Sequence, residues 1–225
     1  MRNQTLKPIK PSQSLMALTA DRIREAIIMG ELPLGSKVSE QKLADTLAIS
    51  RSPVREALAL LQIEGLVRIF PKRGTFVFTP DEKTVQDLCE HRACLESACL
   101  KLAFERGHEA LVVALRRNIE DMEQAIGRDD PAAYALSDMR FHRAIVAGGE
   151  NLSMARVYET TIGPLMALRT HLFTEMKADV AVAMSQHAAL LSACEDGDLA
   201  RGQAVIETHV RKLAEHYQTS LAQLS

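Results

Sequence analysis

A chain of 225 residues with 47% hydrophobic and 25% charged side chains has ordinary globular composition, which excludes a disordered, collagen-like or disulfide-stapled architecture. The longest unbroken apolar stretch, Ala110 to Leu115, falls far short of the roughly 18 residues that cross a bilayer, and the polar start carries no signal-type segment, so a cytoplasmic protein with no membrane partner is expected. The formal net charge of −2 hides an asymmetry: residues 1–80 carry 12 Lys+Arg against 7 Asp+Glu, and the remainder 15 against 22, which suits a basic module that meets a polyanion joined to an acidic module with another task.

Residues 1–13 read as a polar tail. Leu15, Leu18, Ile23, Ile27 and Ile28 then recur at helical spacing up to the breaker-rich stretch Gly30 to Gly35. Ser39 is a good N-cap for a short second helix through Leu43, Ala44 and Leu47. Ser50-Arg51-Ser52-Pro53 opens a third, with Pro tolerated in the first turn and Val54, Ala57, Leu58 and Leu61 forming the buried face. Leu66 to Phe70 and Thr75 to Phe78 flank the turn Pro71-Lys72-Arg73-Gly74 and predict a β-hairpin with a basic tip. Three helices and a hairpin over residues 14–78 make a winged helix-turn-helix pattern.

Thr79-Pro80-Asp81-Glu82 reads as a capping box with Thr79 as N-cap, so residues 79–84 are expected to link and cap the second module, residues 85–222. From there the periodicity predicts helices at about 80–106, 109–127, 131–148, 152–174, 177–196 and 199–222, the fourth kinked or split at Gly163-Pro164. The expected fold is therefore mainly α: a winged helix-turn-helix followed by an antiparallel bundle of about six helices. Cys89, Cys94, Cys99 and Cys194 include no Cys-x-x-Cys pair and read as small core residues in a reducing compartment.

The third helix of such a module fits the major groove, and Ser50, Arg51, Ser52 and Arg55 occupy its first turn. An Arg fork can pair with O6 and N7 of guanine, while Lys72, Arg73 and Gly74 at the hairpin tip suit backbone or minor groove. The competing reading gives these arginines surface salt bridges to Glu56 or Asp45. Gly30-x-Leu32-x-x-Gly35, Ser39-Glu40-x-x-Leu43-Ala44, Ser50 to Leu58, Glu64-Gly65-Leu66-Val67 and Gly74-Thr75-Phe76-Val77 closely resemble the N-terminal domain of GntR-family bacterial transcription regulators. The resemblance implies that the four first-turn residues read a double-stranded DNA operator and that the wing tip enters the minor groove. One recognition helix reads only a few base pairs, so a homodimer on a pseudo-palindromic operator is expected.

In the acidic half, Asp138 and His142 lie one turn apart in line with Ala135, Ile145 and Val146. His187 shares a face with Leu190 and Cys194, and His209 sits between Val205 and Leu213, so all four face the bundle interior. Taken singly each imidazole reads as a hydrogen-bonded core histidine; together with a carboxylate that burial obliges to be paired, they could hold a metal. Asp138-x-x-Phe141-His142-x-x-Ile145, Asn151, His187-x-x-Leu190, Gly197-Asp198 and His209 look like the FCD effector domain of the FadR branch of that family. This likeness implies a divalent metal (Zn, Ni or Mn) on Asp138, His142, His187 and His209.

An open coordination position on such a metal would seat a small carboxylate metabolite. Arg92, on the apolar stripe of the first bundle helix, is a candidate for that anion or a partner of Glu96 one turn along. Arg140 and Arg169 are weaker candidates, Arg140 because it points away from Asp138. A repressor that responds to an organic acid is the leading expectation, with coupling through the linker near Thr79-Pro80. A regulator whose metal is structural or is itself the signal is the alternative. A metal-dependent enzyme is remote, because no nucleophile motif, phosphate loop or separate Glu base stands beside those stripes.

Overall fold

A computed structural model describes residues 14–174 and 180–224, so the tail 1–13 and the expected helix start at 177 lie outside the described residues. The first module holds α1 (Leu15–Ile28), β1 (Lys37–Val38), α2 (Glu40–Thr46), α3 (Arg51–Ile63), β2 (Val67–Phe70) and β3 (Gly74–Val77). Ser14 and Ser39 cap α1 and α2, each accepting through its hydroxyl from a backbone N–H three residues on, 3.2 and 3.3 Å away. The wing is a three-stranded antiparallel sheet in the order β1-β3-β2, with Lys37 opposite Phe76 and Ile69 opposite Thr75. The two-residue β1 was not foreseen, since two residues show no alternation.

Ala20, Ile23, Ile27, Val54, Leu58, Leu61, Leu66 and Val77 fill the core of this module. Arg24 forks onto Glu64, with both hydrogen bonds at 2.8 Å, and pins α1 to the end of α3.

The second module contains α4 (Glu82–Arg106), α5 (His108–Gly127), α6 (Pro131–Gly148), α7 (Leu152–Thr161), α8 (Gly163–Thr174), α9 (Ala181–Glu195) and α10 (Leu199–Leu224). Asp81, not Thr79, caps α4, its carboxylate accepting from Thr84 N–H at 2.7 Å. A carboxylate is the stronger partner for a helix N-terminus, and Pro80 is thereby left in the linker, where its carbonyl accepts from the Tyr217 hydroxyl at 2.7 Å. Gly163-Pro164 splits the expected fourth helix into α7 and α8, giving seven helices among the described residues.

Helix α4 packs on α6 and α10, α5 on α6 and α9, and α8 on α6. Helix α8 also reaches the first module. Ala167 belongs to that module's core, a Cβ at Gly163 would stand 3.0 Å from the Leu66 side chain, and one at Gly65 would stand 3.4 Å from Pro164. Cys89, Cys99 and Cys194 are buried as expected, but Cys94 is exposed, because it lies on the face of α4 turned from the bundle.

Candidate functional site

The exposed start of α3 gathers the candidate DNA contacts. Ser50 caps this helix by backbone conformation alone and makes no side-chain cap bond, and Ser52 donates to Glu56 at 3.0 Å. Arg51 and Arg55 both reach Glu40 at the start of α2, at 3.1 and 3.0 Å, rather than the Glu56 or Asp45 considered from sequence. Hydrogen bonds first from Arg55 and then from Arg51 hold the Glu40 carboxyl below its ordinary range. One carboxylate thus aligns two guanidinium groups and leaves a net positive charge facing solvent.

At the wing tip Lys72 takes φ 62° and Gly74 φ 109°, so two positions, not glycine alone, turn the chain. The Arg73 guanidinium lies 5.5 Å from the centre of the Phe70 ring. Lys37 comes to the same tip, its Cε 3.0 Å from where a Gly74 Cβ would be, and adds a cation that the sequence reading did not place there.

The second constellation is inside the bundle. Asp138, His142, His187 and His209 converge from α6, α9 and α10, all buried, and their candidate ligand atoms lie within 4.8 Å of one another. Burial and then the nearby guanidinium charges hold His142 and His187 well below the usual imidazole range. For His209 burial acts first and the other two rings second. Burial also raises the Asp138 carboxyl, with Arg169 and Arg92 pulling the other way.

Hydrogen bonds set the direction of two rings. His142 Nδ1 lies 2.8 Å from Glu96 Oε2, so it donates there and leaves Nε2 with a bare lone pair. His209 Nδ1 faces the Gln186 amide oxygen at 3.0 Å, which leaves its Nε2 bare too. These two Nε2 atoms are 3.1 Å apart. His187 Nε2 is 3.3 Å from Asp138 Oδ1 but out of hydrogen-bonding direction, so neither ring nitrogen of His187 has a hydrogen-bond partner, and Asp138 Oδ2 has none either. Imidazole nitrogens and a carboxylate oxygen converging within 4.8 Å are the donor set of a cation site, and the residues fit a divalent metal.

Two arginines flank the cluster. Arg92 Nε donates to Glu96 Oε1 at 2.6 Å, and Arg169 Nη2 pairs with Asp138 Oδ1. Burial works against the Arg92 charge, but Glu96, Tyr158 and Asp138 together more than offset it and the guanidinium is held above its ordinary value. Arg92 Nη2 and Arg169 Nε nevertheless lack partners. Both residues line a cavity of about 10 Å³, room for one water, together with Asp138, His142, Tyr158 and Met166. Arg140 is not brought there. It is exposed beside Glu109 and Asp121 in an outer groove, as its two-residue offset from Asp138 requires.

Glu96 is the partner of Arg92 that the sequence offered, but the sequence reading placed no glutamate beside the histidine stripes and missed its contact with His142. It takes Arg92 and the Tyr158 hydroxyl, 3.0 Å away, on one oxygen and His142 on the other, so it is a fully engaged acceptor rather than a free base. The signal was available: Glu96 lies on the buried stripe with Cys89, Arg92, Cys99 and Leu100. Gln186 gave none, standing beside His187 on a different face of α9.

Among the described residues no helix is long and apolar enough to cross a membrane. The chain is 29% identical over 195 residues, 85% of each chain, to a protein of Paenarthrobacter nicotinovorans named a probable D-xylose utilization operon transcriptional repressor. It is 31% identical over 127 residues to the gluconate operon transcriptional repressor of Bacillus subtilis, spanning 56% of this chain and 52% of that one. Its fold is that of E. coli McbR, with a TM-score of 0.80 at 20% identity, over 92% of this chain and 99% of that one. Residues 16–77 match the bacterial regulatory proteins of the gntR family and residues 87–212 match the FCD domain, so the chain belongs to the GntR family of DNA-binding transcription regulators and carries an FCD domain.

Proposed function

We propose that the protein is a dimeric bacterial repressor whose operator affinity is set by a small organic acid bound at a divalent metal in the helical module. The observation that carries this reading is the convergence of buried His142, His187 and His209 with Asp138, ligand atoms within 4.8 Å of one another, where both His187 nitrogens and Asp138 Oδ2 have no hydrogen-bond partner. Those four residues would hold the metal, and the metal when bound supplies positive charge for a carboxylate. Glu96 and Gln186 fix the ring orientations of His142 and His209. Arg92 and Arg169 each offer the acid an unpartnered N–H.

Ser50, Arg51, Ser52 and Arg55 meet base edges and phosphate in the major groove, with Lys72, Arg73 and Gly74 against the adjacent backbone. Because the cavity holds only about one water, seating an acid displaces Met166 and Arg169, both on α8. The first turn of α8 touches Leu66 at Gly163, which makes this helix a more direct route to the DNA-binding module than the linker at Thr79-Pro80. An acid that prefers one pose of α8 thereby biases the pose of α3.

Elemental analysis of purified protein, paired with thermal-shift titration of Zn, Ni and Mn salts and then of small carboxylic acids, tests the reading. A stoichiometric divalent metal, lost in His142→Ala/His209→Ala, and acids that raise the melting temperature only of loaded protein are expected. Unchanged metal content in that double variant refutes the ligand assignment. Metal that alters operator binding while no acid adds a shift favours the metal as the signal.

A further inference from the structure

A recognition arginine can meet the paired O6 and N7 of a guanine, which only some sequences offer, or a phosphate, which every sequence offers. How it is held before contact bears on that choice, and Arg51 and Arg55 are not held alike. Arg55 donates to Glu40 Oε2 through both Nε and Nη2, at 3.2 and 3.0 Å, whereas Arg51 reaches the same oxygen through Nη2 alone, at 3.1 Å. Glu40 lies deeper than either, its side chain 27% exposed against 54% for Arg51 and 64% for Arg55. It opens α2 directly after the Ser39 cap, so its carboxylate stands on a fixed stretch of backbone.

A guanidinium has two donor edges, a side formed by Nε and Nη2 and an end formed by Nη1 and Nη2. With its side on Glu40, Arg55 leaves its end for an outside acceptor pair, and two parallel donors there match O6 and N7 of guanine. A side chain already tied at one edge also surrenders less freedom when it meets a base. Phosphate makes no such demand on direction. It accepts from a guanidinium at any angle, and the carboxylate behind the two arginines repels it.

We infer that Glu40 is a positioning residue that sets operator specificity: it ties Arg55 firmly, and Arg51 more loosely, so that the end of the guanidinium meets guanine, and it disfavours a grip on phosphate alone. This rests on the proposal that these arginines read bases. Two modes of binding follow from one carboxylate. On random DNA the arginines leave Glu40 for phosphate, whereas on the operator they keep it while they read.

Fluorescence anisotropy of the full chain tests this with two duplexes, one selected by the unaltered protein from a random-sequence library and one of the same composition scrambled. Glu40→Gln keeps the size of the side chain and removes its charge. The selected duplex should then bind about threefold more weakly and the scrambled one about threefold more tightly, so the ratio of the two affinities falls about tenfold. On the scrambled duplex the slope of log affinity against log salt should steepen by about one, since one more cation is available to phosphate. With Arg55→Ala already in place, Glu40→Gln should no longer weaken binding to the selected duplex, because the side chain it positions is gone. An unchanged ratio, or a loss that persists without Arg55, overturns the inference, the latter by making Glu40 a contact or a support in its own right. A library that yields no preferred duplex removes base reading and the inference with it, while a preferred duplex whose margin survives Glu40→Gln removes the inference alone.

Discussion

Arg51 and Arg55 at the start of α3, and Arg92 and Arg169 inside the bundle, are two pairs of the same side chain under opposite conditions. The exposed pair shares the single carboxylate of Glu40, so the cluster keeps a positive charge that solvent screens. In the buried pair each guanidinium has its own carboxylate, Glu96 or Asp138, because an uncompensated charge there would be very costly. An exposed cluster with a surplus charge can exchange its partner for an outside polyanion at little cost. A buried, balanced one exchanges only with a ligand that brings equivalent charge, which is what a cation and an anion entering together would do.

The contrast can be broken most strongly at Glu96. Glu96→Ala should destabilise the protein by about 3–5 kcal/mol in chemical denaturation, since it strands Arg92 in the interior and frees the His142 ring; a loss below about 1 kcal/mol would mean that the network is not a unit. At the exposed cluster Arg51→Ala or Arg55→Ala should weaken specific operator binding about tenfold to a hundredfold in fluorescence anisotropy with the melting temperature unchanged. Equal losses on operator and random DNA would show that the arginines meet phosphate only.

Between the modules, Gly163→Val drives a branched side chain into Leu66, and a loss of about 1–3 kcal/mol is expected on denaturation. The smallest effect belongs to Glu40→Ala. Surface pairs contribute little, so the melting temperature should move by no more than about 3 °C. A larger drop would make Glu40 structural.

What the sequence disclosed was whatever a single helix can encode. Caps, breakers and apolar stripes located α1 to α6 closely, and the Gly163-Pro164 break appeared where the missing N–H of proline requires it. The inward direction of Asp138, His142, His187 and His209 was equally legible, because periodicity alone decides which face a residue takes. Partners supplied by another element were not legible. Glu40 meets Arg55 across a turn, Glu96 meets His142 between two helices, and Lys37 joins the wing through a strand of only two residues. Asp81 displaced Thr79 as a cap for a local reason, two candidate caps standing two residues apart with the carboxylate the stronger.

Helix α8 is fitted to two neighbours at once, with Ala167 set among the side chains of the first module while Arg169 of the same helix turns inward to Asp138. The two modules are for that reason not interchangeable parts. A chimera that joins this helical half to a foreign reading head would meet an unmatched surface wherever the newcomer lacked the counterpart of Leu66. It would fold, yet the response proposed for the helical half would not reach the new head until that one contact was rebuilt.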